Sequence, residues 1–104
     1  MFEYLSETRY MTRGISETLP IEVQLAIWNS IDSNIALGVK MDYLQVFKFS
    51  QEGSMLKITH TQEQPEHTTI VYMDYRQEYK DLLSQTVFVI DDVDRSTILY
   101  SHEY

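Results

Sequence analysis

Between Pro20 and Leu37 the apolar residues recur at helical spacing. At 100° per residue, Ile21, Leu25, Trp28, Ile31 and Ile35 fall within a sector of about 120°. Glu22, Asn29 and Ser33 lie opposite. The pattern predicts a helix over 20–37 whose stripe faces a core, with Trp28 at its centre and buried by the rest of the fold. Pro20 suits a first helical turn, Glu22 favours the positive N-terminal end, and Gly38 is a natural stop.

Elsewhere the period falls to two. Arg9–Ile15 reads as a short first strand. Asp42–Ser50 puts Tyr43, Phe47 and Phe49 on one face and Leu44 and Val46 on the other. The Gln51-Glu52-Gly53-Ser54 turn leads into Met55–Gln62, where Leu56, Ile58 and His60 share a face, so the two runs form a hairpin. After a loop with Pro65, Thr68–Tyr75 is rich in β-branched and aromatic residues. Arg76–Ser84 is polar and suits a helical turn. Thr86–Ile90 and Ser96–Tyr100 are further strands, joined by a turn at Asp91–Asp94. The expected order is β-α-β-β-β-β-β, an α+β fold with one amphipathic helix on a mostly antiparallel, curled sheet of five to six strands. One helix covers only one face, so the sheet must curl or leave a face open to solvent or a partner.

Composition narrows the class. The 104 residues are 43% apolar and 23% charged, with three Gly and two Pro. That describes a single folded domain spanning residues 1–104. The absence of Cys excludes disulfides and thiolate metal sites. The apolar runs reach only four residues, as at Leu25–Trp28 and Val87–Ile90, too short to cross a membrane, and Met1–Tyr10 lacks signal-peptide features. A cytoplasmic domain is expected. The net charge is −8, and from Glu66 onward eight acids face three bases. Such a chain repels nucleic-acid phosphates and suits a protein partner with a basic surface.

Signatures of chemistry are sparse. His60, His67 and His102 are dispersed, without a His-Glu-x-x-His pattern. Asp91, Asp92 and Asp94 cluster, but Ser96 and His102 stand where an EF-hand loop needs Gly and Glu, so a hairpin turn is the reading. No Gly-x-Ser-x-Gly elbow exists, and Gly14, Gly38 and Gly53 are too scattered for a phosphate loop. No metal, cofactor or catalytic residue is expected. Asp32 falls toward the apolar side of the helix. It is expected at the rim, with an ion pair to Arg9 or Arg13 as the next reading. Arg9 and Arg13 would share a face of the first strand, and Gly14 would mark a bulge or a close backbone approach. The eight Tyr suggest a contact surface. Tyr72, Asp74 and Tyr75 are the candidate binding residues, Tyr72 and Asp74 on one strand face and Tyr75 on the other.

Two stretches carry a resemblance. Arg9-Tyr10-Met11-Thr12-Arg13-Gly14-Ile15, followed by Leu19-Pro20-Ile21-Glu22-Val23-Gln24-Leu25, is one. Asp42-Tyr43-Leu44-Gln45-Val46-Phe47-Lys48 is the other. Together they resemble the family called domain of unknown function 960, small proteins of staphylococci and related Gram-positive bacteria. The resemblance implies a bacterial cytoplasmic setting and brings no activity, cofactor or site residue. The leading expectation is therefore a non-catalytic protein-binding or regulatory domain. The alternatives are an acidic nucleic-acid mimic that inhibits a nucleic-acid enzyme, and an unrecognised enzyme.

Overall fold

The computed structural model describes residues 8–104. Strand β1 (Arg9–Met11) is followed by helix α1 (Arg13–Thr18), helix α2 (Ile21–Ala36), and the strands β2 (Leu44–Glu52), β3 (Met55–Glu63) and β4 (Glu66–Asp74). A 3-10 helix (Gln77–Ser84), β5 (Thr86–Asp91), β6 (Ser96–Tyr100) and a final 3-10 turn (Ser101–Glu103) complete the chain. The six strands form one sheet in the order β1-β6-β5-β2-β3-β4. β1 runs parallel to β6, and every other neighbouring pair is antiparallel.

The α+β class and the strand positions follow the sequence pattern, but the expected first strand is cut short. Thr12 takes an extended backbone conformation, and its hydroxyl accepts the Ile15 N–H, so it caps a helix that begins at Arg13. Arg13 therefore does not share a strand face with Arg9. It pairs with Glu17 one turn along α1. The sheet is open rather than curled, with β1 and β4 as its edges.

α2 occupies the expected span but is rotated about its axis. Its buried residues are Val23, Gln24, Ile27, Ser30, Ile31 and Asn34. Ile21 and Leu25 stay 62% and 55% exposed. Trp28 is half-buried at the edge of the core, with the Arg9 guanidinium 4.4 Å above its ring. The expected stripe was centred on Ile21, Leu25, Trp28, Ile31 and Ile35 and took no account of polar residues that find buried partners. Here three polar residues turn inward because each has a partner: Gln24 donates to the Leu19 carbonyl, Ser30 meets His60, and Asn34 meets Thr69. Burying a polar group costs little once it is hydrogen-bonded.

Val23, Ile27 and Ile31 of α2 pack with Ile15, Leu19, Tyr79 and Leu82 against one face of the sheet. That face supplies Phe47, Phe49, Leu56, Ile58, Val87, Val89, Ile98 and Tyr100. The helices thus lie on one side, and the opposite side of the sheet carries none of them. Asp32 sits at the helix rim and pairs with Arg9, so the rim position and the ion pair expected for it coexist.

The chain termini of the domain are tied together. The Glu103 carboxylate accepts from the Thr12 hydroxyl and the Tyr100 N–H, both at 2.8 Å. A Cβ on Gly14 would lie 2.6 Å from Glu103 Oε2, so the crowding at Gly14 comes from a side chain on a helix and not from the bulge or close backbone approach expected on a strand. Gly→Ala within a helix ordinarily stabilises by about 0.5–1 kcal/mol. Here Gly14→Ala should instead cost about 1 kcal/mol, because Glu103 must release its donors. In a Glu103→Ala background the same change should become stabilising. Urea unfolding of the four proteins in this cycle measures both signs.

Candidate functional site

Between α2 and the sheet runs a chain of buried polar side chains. His60, 2% exposed, stacks on Phe47 with ring centroids 4.2 Å apart. Its Nδ1 lies 2.7 Å from the Ser30 hydroxyl, and its Nε2 contacts Gln45 Oε1. The Gln45 amide nitrogen donates to the Asp42 carbonyl and to Gln62 Oε1. Gln62 in turn donates to the carbonyls of Lys40 and Pro65, each at 2.8 Å. Because the Gln45 nitrogen already serves two oxygens, its own oxygen faces His60. The imidazole proton therefore sits on Nε2, and the Ser30 hydroxyl donates to Nδ1.

A serine hydroxyl on an imidazole has the outline of a nucleophile and its base. The surroundings are set against that use. Burial pushes the His60 pKa down to about 4, with a smaller contribution from His67. A neutral amide, not a carboxylate, holds the far nitrogen, so nothing stabilises an imidazolium. Ser30 is 5% exposed. The chain is a structural device that joins α2 to β3, β2 and the loop at Lys40.

The surface available for contact is the side of the sheet away from the helices. There β2 presents Leu44, Val46 and Lys48. β3 adds Lys57, Thr59 and Thr61, paired across the ladder with Tyr72, Ile70 and Thr68 of β4. β5 and β6 add Phe88, Ile90 and Thr97. Tyr10, Tyr43, Ile70 and Tyr72 are 50%, 54%, 41% and 50% exposed. A hollow of about 470 Å³ opens on this side, lined among others by Tyr43, Leu44, Val46, Lys48, Thr59 and Thr61. Leu44 and Val46 give it apolar surface, and Asp42, Lys48, Glu63 and the threonines surround them with polar and charged groups. Asp42 fixes its rim, accepting the N–H groups of Tyr43 and Gln64.

Residues 8–103 match the family model described as staphylococcal protein of unknown function (DUF960). The chain belongs to this family. The crystal structure of a protein of unknown function from Enterococcus faecalis is similar to it, with a TM-score of 0.82 and 26% identity over 100% of this chain and 98% of that one. No curated protein matches. In this DUF960 chain the motif residues Thr12 and Gly14 form the turn that Glu103 locks, and Gln24, Asp42 and Gln45 belong to the internal polar scaffold.

The structure separates the three sequence-derived site residues. Tyr72 and Asp74 lie on the helix-free side, and the Tyr72 hydroxyl donates to Glu52. Tyr75 turns the other way, packs against the core and meets Tyr79 edge-on at 6.3 Å. Tyr43 leaves the Phe47 face assigned to it from alternation. It precedes β2 and lines the hollow. The acidic turn does not converge. Asp91 points into the protein, while Asp92 accepts the Arg95 N–H. Among the described residues no group of three or more His, Cys, Asp or Glu is placed to hold a metal ion. No described helix is long and apolar enough to cross a membrane. The alternation that put His60 on one face with Leu56 and Ile58 holds, and that face is buried. Sequence reasoning missed Gln45 and Gln62, although both stand at inward positions of the same strands.

Two titrations follow, with opposite signs. His60 has its pKa depressed, so its contribution to stability is complete above about pH 6.5 and is lost as pH falls toward about 4. The difference between wild type and His60→Gln should shrink by roughly 3 kcal/mol across that window, read by urea unfolding at a series of pH values. Asp91 is the reverse. Its Oδ2 is buried without a hydrogen-bond partner among the described residues, and burial raises its pKa despite the opposing hydrogen bonds from Ser96 and the Val93 backbone. Its contribution is complete below the unfolded carboxyl pKa and is lost as pH rises through the folded one. Asp91→Asn should raise the melting temperature at pH 7, with the advantage fading on acidification toward pH 4. A variant that melts below wild type at pH 7 contradicts the reading.

Proposed function

We infer that the protein is a small non-catalytic contact domain that binds a partner with a basic surface through the helix-free side of its sheet. The observation that supports this most is that neither α1 nor α2 covers this face, where Tyr104 packs against Phe88 at one end. Antiparallel sheets can leave one face to water, but such a face then carries mainly polar side chains. This one instead holds Tyr10, Tyr43, Ile70 and Tyr72 at the surface, around the partly buried Leu44, Val46, Phe88 and Ile90. Tyrosines of this kind act as rigid anchors at interfaces. The net charge of −8 supplies attraction to a basic partner and accelerates encounter. Asp74, beside Tyr72 on the same side, belongs to that acidic surround. Tyr75 is assigned no direct contact in this reading, because the core holds its ring.

A partner captured from the native cell and immobilised for surface plasmon resonance provides the test. Added salt should slow association, since charge screening acts over about 8–10 Å. Tyr72→Ala and Tyr43→Ala should each speed dissociation about tenfold, equivalent to roughly 1.4 kcal/mol, with association little changed. Dissociation that neither substitution alters would move the contact to another surface.

A further inference from the structure

β4 forms one of the two edges of the sheet, opposite β1, and no other described strand pairs along its outer side. Its nine residues pair with β3 in unbroken register, from Glu66 opposite Glu63 to Asp74 opposite Met55. The outer edge of such a strand presents unpaired N–H and C=O groups at alternate residues. Edges are usually blunted by Pro, Lys or a bulge. The β4 sequence Glu-His-Thr-Thr-Ile-Val-Tyr-Met-Asp has neither residue, and its register shows no bulge. Beside it, α2 leaves an open groove of about 310 Å³, lined by Ala26, Asn29 and Ser33 on one wall and Thr69, Val71 and Met73 on the other. The helix wall is built of small side chains, so an incoming strand has room to lay side chains between helix and edge.

We propose that this edge and groove capture an extended basic segment of a partner protein by strand addition. The inference rests on the protein-binding reading above for the nature of the partner, but assigns a different surface. Main-chain bonds along β4 would give affinity, and alternate side chains would enter the groove or lie over the outer face. Charge selects the occupant. Glu66 and Asp74 stand at the two ends of β4. Glu22 continues the stripe of Ala26 and Asn29, and the Tyr79 hydroxyl, 2.7 Å away, favours its ionised form. A second copy of the chain is a poor occupant. Each copy carries −8, and antiparallel pairing centred on Ile70 would set Glu66 of one copy against Asp74 of the other, twice.

The test titrates the isotope-labelled protein with the blocked nonapeptide Lys-Val-Lys-Val-Thr-Val-Lys-Val-Lys, following amide shifts and amide exchange. Nine residues span about 30 Å as a strand, enough to cover β4. Shift changes should concentrate on β4 and the facing side of α2, with exchange slowed at alternate β4 amides. A peptide with Glu in place of each Lys should bind at least tenfold more weakly. So should one with Pro in place of each Val, which keeps the charge but cannot supply the ladder N–H groups. Ser33→Arg, at an exposed position, should weaken the basic peptide at least tenfold while the amide spectrum stays that of the folded protein. Equal binding of the Pro peptide would overturn the proposal, as would the absence of binding at millimolar peptide. Shifts centred on Lys48 and Phe88 without β4 protection would also overturn it, while leaving the sheet-face reading standing. Dimerisation through β4 in sedimentation experiments would assign the edge to a second copy and overturn it too.

Discussion

A chain of polar groups has been taken out of water between α2 and the sheet, and each must keep a partner. Ser30, His60, Gln45 and Gln62 lie in series between α2 and the sheet, and their bonds end on the backbone at Asp42, Lys40 and Pro65. A buried donor or acceptor left unpaired costs about 1–3 kcal/mol. Any rotation of α2 that withdraws Ser30 from His60, or any slip of β2 against β3 that separates Gln45 from Gln62, incurs that cost. The apolar contacts of Val23, Ile27 and Ile31 drive α2 onto the sheet without fixing its angle closely. The polar chain fixes it. The same bonds hold the segment from Lys40 to Asp42 and the turn at Pro65, and so shape the rim of the hollow on the far side.

This explains which parts of the fold were legible in the sequence. Strand alternation at Phe47–Phe49, Leu56–Ile58 and Val87–Val89 is a two-valued signal, and burial on a single face makes it unambiguous. Gly53 and Gly38, both at positive φ, marked the hairpin turn and the end of α2 for the physical reason expected of them. The helix face was a different problem. A 100° periodicity counts Ile21, Leu25 and Trp28 as inward because they are apolar, and says nothing of Ser30 and Asn34, which the structure buries. The outcome turns on partners contributed by β3 and β4, far away in the chain. Thr12 is similar. Its role as a cap ends β1 early, and only local hydrogen bonding distinguishes it from another strand threonine.

The candidate surface was legible in kind rather than in detail. One helix on a sheet of five to six strands implied that the sheet curls or leaves a face open, and of these two the structure has the open sheet. Which tyrosines remain outside is decided by pleat and by strand ends. Tyr72 alternates outward with Ile70, Tyr75 falls past the end of β4 and joins Tyr79, and Tyr43 escapes its expected face because it precedes β2. The scaffold and the surface thus have separate residues. The inward polar positions hold the helix layer, and the outward aromatic and acidic positions remain available for contact.

A neutral His60, protonated on Nε2, links α2 to the sheet. Long-range proton–nitrogen correlation spectra of the imidazole ring report which nitrogen carries the proton and at what pH the second one binds. A single Nε2–H tautomer is expected at pH 7, persisting unchanged to about pH 5, consistent with a pKa of about 4. A ring protonated on Nδ1, or one that titrates near pH 6.5 like a solvent-exposed histidine, would contradict this link.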